Sequence, residues 1–477
     1  MKQMDQSVGS FVNSLTLAPP LDIRKALYGG RVEPYVLKKR AVAGEKITYK
    51  DITSLYPAVC AQETFPISHP VVIREGFKDI EQYFGVLHLD IVPPRGLHFP
   101  VLPVRINDKT FFTLCPPCAA ENVQCECPHS DRERKITGVY TTEEVKLAVA
   151  NGYKIVNIFE IWHFPQKSDG LFRTMIKHFY RMKVASSGWP RENMSSEEKD
   201  AYLAELRTRE GIDLTQAEIS DNPLKRLLAK LMLNPLWGRV ALKPNRSNFE
   251  YVKSTSRFNE LLFSGQHKIS WLQFLDEETV QIQHQHCDDI AAFDACGSIV
   301  VASFVTSYAR IRLYQAMAFV GPERVLYVDT DCVISFQEEG FDGLPESSQL
   351  GEFKNELSPG VHIVHWCSAA PKTYCYITSN GELVFKHKGI PINISNRRIF
   401  QMDTLEKMIS DHDYVETVLD PHRIFRIKVS WKIVSRGSSK QFRFTFDKRQ
   451  IYQDYLTRPY GFSGVPSLPS TSIQSDL

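Results

Sequence analysis

The chain lacks an excess of charge of either sign. Its 477 residues carry 57 Lys and Arg against 55 Asp and Glu, a formal net charge of +2, so any basic groove must be local rather than chain-wide. The first residues lack the basic-then-apolar order of a secretory leader. An uninterrupted apolar run is missing too. The most apolar stretch, 290–309, contains Asp294 and leads into Arg310 and Arg312, which fits a buried helix better than a membrane span. What is present is 43% hydrophobic and 23% charged residues, enough to bury large cores in several subdomains.

Ten cysteines without a secretory leader point to a reducing intracellular compartment, with nuclear and mitochondrial settings both open; there, clustered thiols read as metal ligands before disulfides. Cys115-Pro116-Pro117-Cys118 is followed by Cys125-Glu126-Cys127-Pro128-His129. That spacing matches a tetrahedral Zn²⁺ shell, with either Cys125 or Cys127 to spare, against the plainer alternative of unliganded loop thiols. The other six cysteines are scattered and read as packing residues.

Two carboxylates sit in Tyr327-Val328-Asp329-Thr330-Asp331. The β-rich arms Val325–Val328 and Cys332–Phe336 make this the tip of a tight hairpin. Like charges so close raise each other's pKa unless a cation neutralises them, and hard oxygen ligands suit Mg²⁺; a solvated Asp-rich turn is the competing reading. Asp51 follows a second strand signal, Ile47 and Tyr49, and is expected at a strand end before Tyr56-Pro57 turns the chain.

A third segment runs from Asn222 to Gly238. Asn222 reads as an N-cap, Pro223 as the first helical residue and Gly238 as the stop. On such a helix Arg226, Lys230, Asn234 and Trp237 share a stripe, set apart from Leu224, Leu227, Leu228 and Leu231. Two cations, an amide and an aromatic suit a triphosphate and a base.

In chain order these three segments resemble motifs A, B and C of family B DNA polymerases. Lys372-Thr373-Tyr374 resembles the family's later Lys-x-Tyr motif, and Tyr28-Gly29-Gly30 resembles its Tyr-x-Gly-Gly linker. Leu236-Trp237-Gly238, the roughly 180 residues between Asp51 and Lys230, and Thr306-Ser307-Tyr308-Ala309-Arg310 are similar to the protein-primed branch of phage, adenoviral, linear-plasmid and Maverick/Polinton enzymes, some of which carry similar Cys/His clusters. The resemblance implies an α+β right-hand polymerase: a palm with an antiparallel sheet, helical fingers, a thumb and two insertions between palm motifs. The expected divisions are a linker and core start (1–50), motif A (51–61), a first insertion with the knuckle (62–215), the fingers helix (216–241), a second insertion (242–296), palm with motif C (297–394), thumb (395–458) and a disordered tail (459–477).

The same resemblance implies template-directed nucleotidyl transfer with primer-template DNA and dNTPs as partners, a terminal priming protein as a further partner, and no membrane. Asp51 and Asp331 are expected to hold two Mg²⁺, with Asp329 in support. Ser54, Leu55, Tyr56, Arg226, Lys230, Asn234 and Trp237 are expected around the nucleotide. Tyr28, Gly29, Gly30, Tyr327, Thr330, Lys372, Tyr374 and Lys388 are expected along the primer and DNA. Only about 27 residues precede Tyr28, fewer than the 3′–5′ exonuclease domain of relatives needs, so proofreading is expected to be absent from this chain.

Between Pro57 and Asn222, Thr141 to Glu144 forms a capping box for a helix ended by Asn151-Gly152, and Ser195 with Glu198 caps another. From Arg423 to Arg449 nine Lys and Arg face one acid, Asp447. They alternate with Phe425, Ile427, Val429, Phe442, Phe444 and Phe446, with Arg436-Gly437-Ser438-Ser439 as the turn, which gives one sheet face cations able to follow a phosphate backbone. Proline at 235, where motif B usually carries serine, removes the bond to the Leu231 carbonyl if the helix continues, at about 3 kcal/mol or more. Two readings therefore stand: an active polymerase core, or an impaired remnant of a mobile element that retains DNA or partner binding. Reverse transcriptase is disfavoured, because its adjacent Asp-Asp pair is missing.

Overall fold

The computed structural model describes residues 20–191, 193–243, 245–287, 297–347, 349–390, 392–394, 396–427 and 432–464. Val429, and residues 290–296 of the apolar stretch, lie outside them. The centre is a nine-stranded antiparallel sheet whose main path runs Val32–Pro34, Val325–Asp329, Cys332–Gln337, Lys46–Ile52, Ile363–Ala370, Thr373–Thr378 and Leu383–Lys386. Val325 to Val328 are all buried, because the sheet is covered on both faces. A bulge between Val325 and Tyr327 sends Val325 and Val328 to one core and Leu326 and Tyr327 to the other. The first core is filled by the helix Ile299–Val320. The second is aromatic, with Trp366 stacked on Tyr374 at 5.2 Å.

The 62–215 segment contains a four-stranded sheet in the order Val71–Ile73, Lys154–His163, Gly85–Val92, Ile136–Thr141. Its helix Thr142–Ala150 is capped by Thr141, which accepts from the Glu144 amide. Glu144 itself does not reach back as in a capping box; its carboxylate receives Arg310 of the central helix at 2.6 and 2.7 Å. Both side chains are almost fully buried, so this pair pins the segment to the central helix. Within the same span, helix Arg173–Ala185 leaves the sheet and packs on helix Pro223–Leu233. Ser195 and Glu198 form a full capping box at the start of Ser196–Glu205. Across 248–286, strands Asn248–Val252, Val280–His286 and His267–Phe274 form a separate sheet crossed by helix Thr255–Phe263.

Three expectations need correction. Tyr56-Pro57 does not turn the chain in a loop but lies in the first turn of a helix, Leu55–Gln62. Gly238 does not stop the motif B helix: that helix ends at Leu233 with Asn234 as C-cap, and Gly238 lies inside a second short helix, Leu236–Val240. Proline at 235 imposes the break, because it can neither donate to the Leu231 carbonyl nor fit the preceding turn. The Leu224, Leu227, Leu228 and Leu231 face is exposed rather than packed, Leu224 at 76%, while Ala229 and Leu233 fill the buried side.

The third concerns the C-terminal region. Arg436 to Ser439 is not a turn but lies within strand Ile433–Arg443, paired with Val415–Arg426 in the register Arg423↔Arg436. Arg449 is not on a cationic face either: it is fully buried beside Glu33. The proposed free tail is anchored through Gly464, with Tyr460 and Phe462 buried and the Leu114 amide donating to the Tyr460 carbonyl at 2.9 Å; residues 465–477 lie outside the described residues. No helix among the described residues is long and apolar enough to cross a membrane.

Pro235 therefore sits past the helix it was expected to damage. The Pro235→Ser chain should unfold within about 1 kcal/mol of the parent in denaturant titration, against the ~3 kcal/mol expected of a proline inside a helix. A larger gain in stability would show that the proline strains this junction.

Candidate active site

Antiparallel pairing is what brings Asp51 to the hairpin tip. Asp51 pairs across with Cys332 on one side and Lys354 on the other. The Ile52 amide donates to the Asp331 carbonyl at 2.7 Å, so Asp331 lies one step along from Asp51. The tip itself is tight: Thr330 has φ +65° and the Asp331 amide donates to the Asp329 carbonyl at 2.7 Å.

The three acids are not equivalent. Lys372 donates to both oxygens of Asp329 at 2.6 and 2.9 Å, so Asp329 is neutralised within the chain. Among the described residues Asp51 and Asp331 have no such ion-pair partner. Burial, then the Asp331 and Glu356 charges, push Asp51 up to about 7, against a smaller opposing pull from Lys354 and Lys230. Burial and the Asp329 charge raise Asp331 to about 6. A half-buried pair of acids held this way is a site for a hard cation.

Cations gather on the opposite side. Lys183 is pushed down to about 8 by burial and by Arg226, Lys354 and Lys230, with Asp51 opposing. Its ammonium donates to Ser54 Oγ at 3.0 Å, and Ser54 stands at the N-cap of the Leu55–Gln62 helix with φ +53°. Leu55 is buried behind it. Arg226 donates to Ser187 Oγ at 3.2 Å. Cations crowded around Lys183 in this way favour a polyanion between them. Trp237 of the second short helix stacks on Tyr56, centroids 4.9 Å apart and 16° between planes, so the break at Pro235 delivers the indole to the motif A helix. Asn234 is the exposed C-cap of the first helix.

Several of the other expected residues are packed inside the fold. Tyr28 is buried and stacked on Tyr140 at 5.6 Å; Arg310 donates to the carbonyls of Tyr28 and Gly29 at 2.9 and 3.1 Å. A Cβ on Gly30 would come within 2.7 Å of the Thr330 side chain, so only glycine lets this segment lie against the tip. Tyr327 and Tyr374 are buried under the site. Tyr327 accepts from the Lys372 amide at 2.9 Å, which fixes the lysine that holds Asp329. Strand pairing holds the Tyr327 and Tyr374 rings in the aromatic core, and the Tyr28 ring, ahead of the first strand, packs in the core that the central helix fills. Lys388 is exposed in the bend after Leu383–Lys386.

Sequence reasoning missed Lys183, Lys354, Glu356 and the Arg310–Glu144 pair. Lys183 is one cation among several on a helix with no motif around it, and Lys354 and Glu356 come from a three-residue strand pair visible only in the sheet.

Far from this site, the ligand atoms of Cys115, Cys118, Cys127 and His129 lie within 4.8 Å of one another. His129 Nδ1 is 3.4, 3.2 and 3.8 Å from the three sulfurs in turn. Cys125 is exposed and outside the group, which corrects its inclusion as a ligand. Three thiols and one imidazole match the donor set of a closed structural zinc site. Of the six cysteines expected to pack, Cys60, Cys332, Cys367 and Cys375 are buried, Cys287 is half-buried and Cys296 lies outside the described residues.

Residues 5–195 match the family model of DNA polymerase type B, organellar and viral. No curated protein matches the sequence. Among solved structures, the chain is similar to phi29 DNA polymerase complexed with primer-template DNA and incoming nucleotides, at TM-score 0.57 and 15% identity over 92% of this chain and 67% of that one. It is similar also to the phi29 binary complex with primer-template DNA, at TM-score 0.52 and 16% identity over 92% and 66%. The chain thus spans about two thirds of the length of these polymerases and shares their right-hand fold.

Because both acids hold protons to unusually high pH when folded, the metal-free fold binds more protons than the unfolded chain between about pH 4 and about pH 7, and this pair's contribution to stability falls as pH rises through that window. A divalent cation needs the ionised form. The rise in Tm produced by saturating Mg²⁺ should therefore grow from about pH 5 to about pH 8. A Mg²⁺ increment that is flat or shrinks over that range in thermal melts would contradict this assignment of the pair.

Proposed function

We infer that this chain is a DNA polymerase of the organellar and viral type B kind, whose family model its residues 5–195 match, and that it extends a DNA primer by template-directed transfer of deoxynucleotides. One observation carries the reading: two half-buried carboxylates without an internal cation, Asp51 and Asp331, face a cluster of Lys183, Arg226, Lys230 and Lys354.

Asp51 and Asp331 would hold the catalytic Mg²⁺ ions, which supply charge for a developing 3′-alkoxide and for the leaving pyrophosphate. The fit rests on the donor set, oxygen only, and on the raised proton affinity of both acids. Lys183, Lys230 and Arg226 neutralise the triphosphate, which needs positioning and electrostatics rather than a protein nucleophile. The Tyr56–Trp237 stack walls the sugar and the nascent pair, and Tyr56 stands where a 2′-hydroxyl meets the ring. Lys372, holding Asp329, orients the hairpin tip against the primer end. Protein priming is the finer part of the reading, supported by the room the chain gives to the 62–215 and 242–296 segments. The Cys115, Cys118, Cys127 and His129 group would hold a structural Zn²⁺ that ties 115–129 to the anchored C-terminal segment.

Impairment by Pro235 loses its main support, because the break that the proline imposes leaves Trp237 stacked on Tyr56 rather than displaced from it. The decisive variant is Asp331→Asn. Primer extension with Mg²⁺ and four dNTPs should fall about a thousandfold or more, a loss of ~4 kcal/mol of transition-state stabilisation, while affinity for primer-template in a gel shift changes little. Equal extension by the variant would remove Asp331 from its role.

A further inference from the structure

Three histidines share one face of the 248–286 sheet. His267 pairs directly across from His286, and His284 precedes His286 by two residues on the same strand, so strand alternation turns all three to the same side. The His267 ring centroid is 4.7 Å from that of His286 and 5.2 Å from that of His284. Each of the three has a buried Nδ1 with no hydrogen-bond partner. Buried polar atoms are rarely left bare, and three in one patch call for an explanation.

The bonding of His284 supplies one. Its ring is 4% exposed, and its Nε2 bonds Glu250 Oε2 at 3.2 Å. A carboxylate on Nε2 holds the proton there and leaves the lone pair on Nδ1, the outer partnership that metal-bound histidines use. Glu250 is itself held by Arg257 through two bonds of 3.0 Å. Helix Thr255–Phe263, which carries Arg257 and Glu260, thereby buttresses the cluster, and an open cleft gives solvent access to it.

We propose that His267, His284 and His286 form a second metal site, ligating one first-row divalent ion of the imidazole-preferring class, Zn²⁺ foremost, with water completing the shell. Two histidines spaced by two on one strand and a third opposite on its neighbour place three imidazoles on one side of the sheet, and binding would turn the side chains so that one nitrogen of each comes to about 2.0–2.1 Å from the ion. Glu250 is a positioning residue, acting through His284. The ion clamps the sheet of this segment and is independent of the Cys115 group, whose donors are mainly sulfur.

The test uses the full chain, stripped with chelator and reloaded with Co²⁺ or Zn²⁺. The chain with His267→Gln and His286→Gln should bind one equivalent less than the parent, and the equivalent it loses should show cobalt d–d absorption without a thiolate charge-transfer band. Equal metal content in the two chains, or loss of the thiolate-coordinated equivalent, overturns the proposal. A second measurement needs no variant. Zn²⁺ should protect His267, His284 and His286 of the parent chain from diethylpyrocarbonate while leaving exposed His69 and His422 reactive; modification of the three at the same rate with and without Zn²⁺ also overturns it.

Discussion

The repulsion between Asp51 and Asp331 is the constraint on which the remaining architecture depends. Two acids at adjacent strand ends, partly out of water, oppose folding of the hairpin tip unless something holds them. What holds them is the register of the sheet: the Asp51 strand is gripped on one side by Cys332–Gln337 and on the other by Phe353–Asn355. The tip is braced from behind by the Gly30 segment, whose neighbour Arg31 accepts the Thr330 amide at 2.7 Å. Selective neutralisation then sets the chemistry. Lys372 satisfies Asp329 and leaves the other two acids with charge to offer, so the placement of one lysine decides which carboxylates are free for a cation.

The same logic extends outward through buried charge. Arg310 bridges the central helix, the Glu144 helix and the carbonyls of Tyr28 and Gly29. Breaking a buried pair of this kind costs about 3–5 kcal/mol, because the survivor is left uncompensated. The bridge thus fixes the 62–215 segment relative to the hairpin tip. Arg31, Glu33 and Arg449 do the same between the first strand and the C-terminal region. These contacts keep the acids and the fingers cations in one frame, and this explains why the site survives the large separation in sequence between its parts.

Much of this was legible in the sequence. The hairpin at Asp329 to Asp331, the Asp51 strand, the N-cap at Asn222 and the Cys/His knuckle all follow from local alternation, capping and spacing. What stayed hidden depended on partners distant in sequence. Tyr28, Tyr327 and Tyr374 look like ligand contacts in a motif, yet the two-sided sheet turns the Tyr327 and Tyr374 rings into the core, and Tyr28 is drawn into it by stacking on Tyr140. The Leu224 to Leu231 face is apolar by periodicity, yet nothing among the described residues covers it, because helix Arg173–Ala185 packs on the Ala229 side. The turn expected at Gly437 failed for a related reason: a glycine-serine run that can turn was instead drawn into a long strand by its partner, Val415–Arg426. Choosing Cys127 over Cys125 needed the fold, since both spacings close a four-ligand shell.

The central claim is that Asp51 and Asp331 form a shared cation site. Anomalous diffraction from crystals of this chain soaked in Mn²⁺ with primer-template and a non-hydrolysable dNTP tests it most directly. The account expects two manganese peaks about 3.5–4 Å apart, bridged by the Asp51 and Asp331 carboxylates. Manganese found only at other acids, with Asp51 and Asp331 still protonated or bare, would contradict it.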